Sequence, residues 1–227
     1  MEIVKTQNLW KTYGKGETKV DAVANVSITV SKGEFVCIVG PSGSGKTTLL
    51  NLLGGLDTPT SGKVFIDGKD ISVMKEEDLT VFRRRNIGFI FQAYNLVPEL
   101  NVEENIVLPL LLDYRKPDES HVAELLNVLG LAERRYYLPN QLSGGQQQRV
   151  AIGRALVTKP ALILADEPTG NLDSKNSRDV VNLLKLSVDR YHQTLVMITH
   201  NRDFASLADR VLLMEDGTVT ELGGVVR

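Results

Sequence analysis

The sequence has a single cysteine and no apolar run near the roughly 20 residues a helix needs to cross a bilayer. With Cys37 alone, an intrachain disulfide is excluded. Cys37 sits in an apolar stretch, so a buried core thiol is expected rather than a reactive one. The N-terminus does not read as a signal peptide, because Glu2 and Lys5 interrupt any apolar run. Charge is nearly balanced, at a net −2, which argues against a nucleic-acid binder that relies on a broad basic surface. Internal repeats and low-complexity tracts are also missing. What remains is ordinary globular composition, 42% apolar and 24% charged over 227 residues, enough for one large domain or two small ones. These absences predict a soluble, cytosolic chain.

The densest signal lies between Phe35 and Leu53. The apolar run Phe35-Val36-Cys37-Ile38-Val39 reads as a buried strand. Gly40-Pro41-Ser42-Gly43-Ser44-Gly45-Lys46-Thr47 follows, then Thr48 and a leucine-rich segment stopped by Gly54-Gly55. Strand, glycine loop, Lys-Thr and helix form a complete G-x-x-x-x-G-K-[ST] phosphate-binding loop. The chemistry asks for these residue types. Glycines let the backbone wrap its N–H groups around a triphosphate, and the helix start adds its positive dipole end. Lys46 supplies a point charge for the β- and γ-phosphates, and Thr47 a hydroxyl for Mg²⁺.

Three further apolar runs end in polar residues that belong with this loop. Ile87–Phe91 ends at Gln92, a polar amide that can reach Mg²⁺ or a water in the site. Ala161–Ala165 ends at Asp166 and Glu167; the first can hold Mg²⁺ through water, and the second can orient and deprotonate an attacking water. Leu195–Thr199 ends at His200, level with Gln92 and Asp166 and placed to contact the γ-phosphate. His121 and His192 lie in polar settings and carry no assignment. Upstream, Tyr13 is one of two aromatics beside Gly14, and an exposed ring there can stack on a base. Val26-Ser27-Ile28-Thr29-Val30 alternates as a half-buried strand, and Asp67-Gly68 and Asp216-Gly217 mark tight hairpin turns. Arg83-Arg84-Arg85 reads as a solvated helix face rather than a nucleic-acid site.

From Ala93 to Lys159 the strand runs stop and helical spacing takes over. Asn101–Asn105 opens an apolar segment with a bend expected at Pro109. Asp118 caps a helix with Val122, Leu125, Leu126 and Leu129 on one face, and Gly130 ends it. Leu142-Ser143-Gly144-Gly145-Gln146 then opens the helix Gln147–Leu156, a second anion-binding surface by the same backbone logic. One triphosphate site per chain needs no second cradle, so the simplest arrangement is a head-to-tail pair in which this loop closes on the other chain's nucleotide. Ala93–Leu100 is apolar for a loop, and Tyr94, Leu96, Val97 and Leu100 are expected to form a small exposed patch.

In this order, the P-loop, Gln92, LSGGQ at Leu142–Gln146, the strand ending in Asp166 with Glu167, and His200 resemble an ABC-transporter ATP-binding subunit over essentially the whole chain. PTSGKV at Pro59–Val64, FQAYNLVPEL at Phe91–Leu100 and GNLD at Gly170–Asp173 are similar to the LolD, MacB, FtsE and BceA types. Ala165 departs from the family, which commonly has a larger aliphatic residue there. The resemblance implies an α/β fold: a P-loop NTPase (RecA-like) core with an N-terminal antiparallel β-subdomain (1–92 and 159–227) and an inserted α-helical subdomain (93–158). It implies ATP and Mg²⁺, with Tyr13 stacking on adenine, Gln92, Glu167 and His200 in catalysis, and Thr47, Gln92 and Asp166 at the metal. Ser143, Gly144, Gly145 and Gln146 would face the partner's nucleotide, with Asp173 as an interface acid. It also implies a homodimer on the cytoplasmic face of the membrane, no nucleic acid, and a permease that docks near residues 92–115 and sets the cargo. A DNA- or ribosome-directed relative usually carries two ATPase halves or a long coiled coil, which this chain lacks. Glu167 and His200 argue against a nucleotide switch that does not hydrolyse.

Overall fold

The computed structural model describes residues 1–222. The chain begins with strands β1 (Glu2–Tyr13), β2 (Val20–Val26) and β3 (Thr29–Ser31). Strand β4 (Phe35–Val39) runs through the glycine loop into helix α1 (Lys46–Leu53). The hairpin β5 (Ser61–Ile66) and β6 (Lys69–Asp70) is followed by α2 (Glu76–Asn86) and β7 (Ile87–Ile90). Three helices come next: α3 (Val102–Leu112), α4 (Glu119–Val128) and α5 (Gly144–Leu156). The core then resumes with β8 (Leu162–Asp166), α6 (Ser174–Tyr191), β9 (Thr194–Ile198), the short α7 (Arg202–Ala205) and the hairpin β10 (Arg210–Glu215) and β11 (Thr218–Leu222).

Two sheets form. β11, β10, β4, β9, β8 and β7 lie side by side, parallel except for the antiparallel edge strand β11. β2, β1, β5 and β6 make an antiparallel layer, with β3 also paired to β1. The unbroken apolar runs follow from burial on both faces of the first sheet. Phe35 and Cys37 of β4, Ile163 and Ala165 of β8, and Leu195 and Met197 of β9 pack towards the helices α3 to α6. Their neighbours Val36, Ile38, Leu162, Leu164, Val196 and Ile198 pack towards α1 and the antiparallel layer. Cys37 is buried there, and burial pushes its thiol up to about 12. Ala165 is likewise fully buried in the core.

Local chemistry sets the helix starts. Asn101 and Glu104 form a reciprocal capping box on α3, and the Asp118 carboxylate accepts from Ser120 and His121 N–H on α4. Helix α3 continues through Pro109. Both Asp-Gly turns have two left-handed residues, Asp67 with Gly68 and Asp216 with Gly217, as tight hairpins require.

Three expectations are corrected. The alternation at 26–30 is not one strand: β2 ends at Val26 and β3 starts at Thr29. Thr6 fills the gap, its Oγ1 donating to Val26 O and accepting from Ile28 N. Arg83–Arg85 do not simply face water. Arg84 donates to Leu112 O and Arg85 to both Asp113 oxygens at 3.0 and 2.9 Å, tying α2 to the end of α3. Tyr94, Leu96, Val97 and Leu100 are half-buried rather than exposed. The apolar residues that face water lie further on, at Leu111, Leu112 and Tyr114.

Candidate nucleotide-binding site

The glycine loop joins the C-terminal end of β4 to α1, and its shape is dictated from both sides. Gly40 has φ +151° and a Cβ there would stand 2.1 Å from Met214 O of β10; Gly45 has φ +102° and a Cβ there would stand 2.0 Å from Ala22 O of β2. Neither position tolerates a side chain, so the loop stays thin and its N–H groups remain free of bulk. Helix α1 starts on Gly45 with no side-chain cap, which leaves its first N–H groups available to an anion. Lys46 is buried and donates to Gly40 O at 3.0 Å and Pro41 O at 2.6 Å. Burial pulls its pKa down, against the pull of Glu167 and Asp166.

A cleft of about 320 Å³ is lined by Tyr13, Ala22, Ser42, Gly43, Gly45, Lys46, Thr47, Thr48, Glu167 and His200. The structure therefore gathers sequence-predicted residues from four distant segments. Thr47 Oγ1 lies 3.4 Å from Asp166 Oδ1. Burial raises the Asp166 pKa, Glu167 adds to the rise, and Thr47, Lys46 and His200 oppose it. Glu167 directly follows β8 with φ +44°, a costly conformation for a residue with a side chain, and its N–H donates to Ile198 O. That backbone turns its carboxylate to His200, whose Nε2 is 2.5 Å from Glu167 Oε1.

Tyr13 also lines the cleft. Its hydroxyl donates to Asp57 Oδ2 at 2.6 Å. Lys11 Nζ is 2.6 Å from Asp57 Oδ1 and 4.8 Å from the Tyr13 ring centroid. Burial, then the hydrogen bond to Asp57, raises the phenol pKa. Sequence reading missed Asp57, Lys11 and Ala22. Asp57 lies 44 residues from Tyr13, and no local spacing signals that contact.

Other predicted residues lie apart from this cleft. Ser143, Gly144, Gly145, Gln146 and Asp173 do not line it. Ser143 caps α5, accepting from Gln146 N, while Gln146 Oε1 accepts from Ser143 N. Helix α5 thus begins at Gly144, three residues before the expected Gln147. Asp173 caps α6, accepting from Lys175 N, Asn176 N and Asn176 Nδ2. Gln92 lines a neighbouring cavity that it shares with Glu167 and His200, and its amide bonds Asn171.

The ABC transporter family profile matches residues 23–170. An uncharacterised ABC transporter ATP-binding protein of Methanocaldococcus jannaschii is 46% identical over 224 residues, covering 97% of this chain and 99% of that protein. The lipoprotein-releasing system ATP-binding protein LolD of Cytophaga hutchinsonii is 45% identical over 220 residues, covering 96% of this chain and 99% of that one. Among solved structures, the ATP-binding cassette MJ0796 of M. jannaschii, as a post-hydrolysis dimer bound to ADP and Pi, superposes with a TM-score of 0.87 at 43% identity, over 98% of this chain and 100% of that chain. The chain belongs to the ABC transporter family as an ATP-binding ATPase subunit.

Proposed function

We propose that two copies of this chain pair head to tail around two ATP molecules and drive a membrane permease of the lipoprotein-release, macrolide or antimicrobial-peptide export type. The observation that carries this reading is the split site: the P-loop cleft takes no lining from 142–146, although that segment is a well-capped helix start of its own. In a head-to-tail pair, Ser143, Gly144, Gly145 and Gln146 meet the partner's γ-phosphate, and Asp173 lies at the interface. The similar cassette MJ0796 was solved as a dimer.

Within one chain, Gly40–Thr48 hold the phosphates and Tyr13 stacks on adenine. Lys46 must turn from Gly40 O and Pro41 O to the phosphates, a short swing on a flexible stem. Glu167 takes the proton of the attacking water, His200 fixes the Glu167 carboxylate, and Gln92 meets the γ-phosphate and metal. The oxygen set of Thr47 and Asp166 suits Mg²⁺, a hard cation, and the ion would neutralise charge on the phosphates.

The unit divides into the core with its antiparallel layer (1–92 and 159–227) and the helical subdomain (93–158). The permease docks near residues 92–115. A groove of about 490 Å³ there is lined by Phe89, Phe91, Leu108, Pro109 and Leu112, with Arg154 at its wall. The ATPase is thereby held at the cytoplasmic face of the membrane, and no helix among the described residues is long and apolar enough to cross one. Curated relatives named as macrolide export ATP-binding/permease proteins support the pairing; this chain spans about a third of their length, at 34%.

The test mixes Ser143→Arg with Lys46→Ala. Each alone should lose hydrolysis, Lys46→Ala through nucleotide binding and Ser143→Arg through closure. The mixed heterodimer concentrates both defects in one shared site, so part of the activity should return. Heterodimers with no recovery would count against sharing.

A further inference from the structure

Gln92 is the one catalytic candidate held away from the P-loop cleft, and the structure shows what holds it. Its Nε2 donates to Asn171 Oδ1 at 3.2 Å, and Asn171 Nδ2 donates back to the Gln92 main-chain carbonyl at 3.0 Å. The Asn171 amide thus grips both the side chain and the backbone of one residue. Gly170 makes the room: a Cβ there would stand 2.7 Å from Gln92 Nε2 and 2.8 Å from its Cδ. Gly170 is not in the left-handed region, so its missing side chain serves the Gln92 packing rather than the turn. The preceding residue, Phe91, is held separately. Gln148 of α5 donates to Phe91 O at 3.3 Å, and its buried Oε1 has no partner.

We infer that Gly170 and Asn171 form a seat for Gln92 that competes with the nucleotide, which makes Asn171 a positioning residue for the γ-phosphate contact. The inference rests on the reading above that Gln92 meets the γ-phosphate. The Gln92 side chain must give up its bond to Asn171 Oδ1 before it can turn to MgATP. ADP lacks the group that Gln92 reads, so the seat does not affect ADP. The seat lies on the turn that leads into Asp173 and α6, so a displacement of that turn loosens Gln92 without touching the P-loop.

The experiment measures MgATP and ADP affinity by titration calorimetry in a Glu167→Gln background, where ATP is not consumed. Asn171→Ala removes both bonds, and Gly170→Ala pushes Gln92 off the seat by volume. Both should tighten MgATP about two- to tenfold, the worth of one or two neutral hydrogen bonds, and leave ADP unchanged. With Glu167 intact, the apparent KM should fall and kcat should hold. Adding Asn171→Ala to Gln92→Ala should change nothing further. If both single variants bind MgATP at or below wild-type strength while Gln92→Ala weakens it, the seat is overturned and the Gln92 role stands. Equal tightening of ADP also overturns the seat. If Gln92→Ala binds MgATP like the wild type, the Gln92 role itself falls, and the seat with it.

Discussion

Gly45 opens α1 at φ +102° with no side-chain cap, whereas Ser143 opens α5 at φ −66° with a full capping box. Both segments are serine-and-glycine turns before a helix, and in sequence they invite the same reading. Their glycines answer different demands. In the P-loop, Gly40 and Gly45 are fixed by backbone shape and by the carbonyls of Met214 and Ala22. In the signature loop, Gly144 and Gly145 have no positive φ; a Cβ would instead meet Tyr94 Oη at 2.7 Å or Asn176 Oδ1 at 2.5 Å. The P-loop gathers Lys46, Thr47, Asp166, Glu167 and His200 around it, and the signature loop has no such company. A helix start that caps itself is stable without a ligand; one left uncapped and ringed by charge is shaped for an anion. The contrast supports the proposal that one loop binds nucleotide while the other completes a partner's site.

The largest effect that would test this contrast falls on the acid beside the P-loop. Glu167→Gln should keep ATP binding and lose about 10²- to 10⁴-fold in turnover, as expected for a positioned general base. A steady-state phosphate-release rate above about a tenth of wild type would move the base elsewhere.

Next comes a matched pair of glycine changes. Gly45→Ala adds backbone strain of about 1–3 kcal/mol and a clash with Ala22 O, so nucleotide binding should disappear. Gly144→Ala meets only the tip of the Tyr94 side chain, which can turn away, so ATP affinity of the isolated chain should stay within about 0.5 kcal/mol. Equal losses from both in calorimetry would erase the distinction between the loops.

Tyr13→Ala should weaken ATP by about 1–3 kcal/mol if the ring stacks on adenine, and Tyr13→Trp should be nearly neutral. Because stacking reads any π-face, GTP should be accepted too. An unchanged dissociation constant for Tyr13→Ala would leave the ring as packing held by Asp57 and Lys11.

The smallest effect concerns stability. Burial and Glu167 raise the pKa of Asp166 in the folded protein, so the fold disfavours its charge. The stability that goes with its neutral form is fully present below the unfolded carboxylate value and is lost as pH rises through the folded one. At neutral pH, Asp166→Asn should therefore raise the melting temperature of the nucleotide-free chain while abolishing hydrolysis. The gain should shrink as pH falls towards about 4. A variant that melts lower than wild type at pH 7 would show that the Thr47 contact outweighs burial.

Much of the core was legible because two-sided burial leaves an unmistakable trace. The runs at Phe35–Val39, Leu162–Ala165 and Leu195–Ile198 are apolar at every position, and each ends in a residue placed at one rim of the sheet. For the apolar loop after Gln92, composition does not say which residues tuck inward. Asn105 draws that loop in by accepting from Val97 N and donating to Val97 O, Leu100 O and Asn101 O. The strand pattern at 26–30 misled for a similar reason: its break is bridged by Thr6, 20 residues from Val26.

By itself, then, the sequence determined the phosphate loop, the acids and histidine that follow core strands, and the presence of a helix opened by the Leu142–Gln146 loop. Those features depend on near neighbours: φ preferences, strand periodicity and caps. Only the tertiary structure decided that the signature loop stands apart from its own chain's cleft, that Asp57 and Lys11 fix Tyr13, and that Asn171 holds Gln92 at a separation of 79 residues. Those contacts arise where sheet order and the helical insertion bring distant backbone together, and a hydrogen bond between such segments leaves no period in the chain for a reader to find.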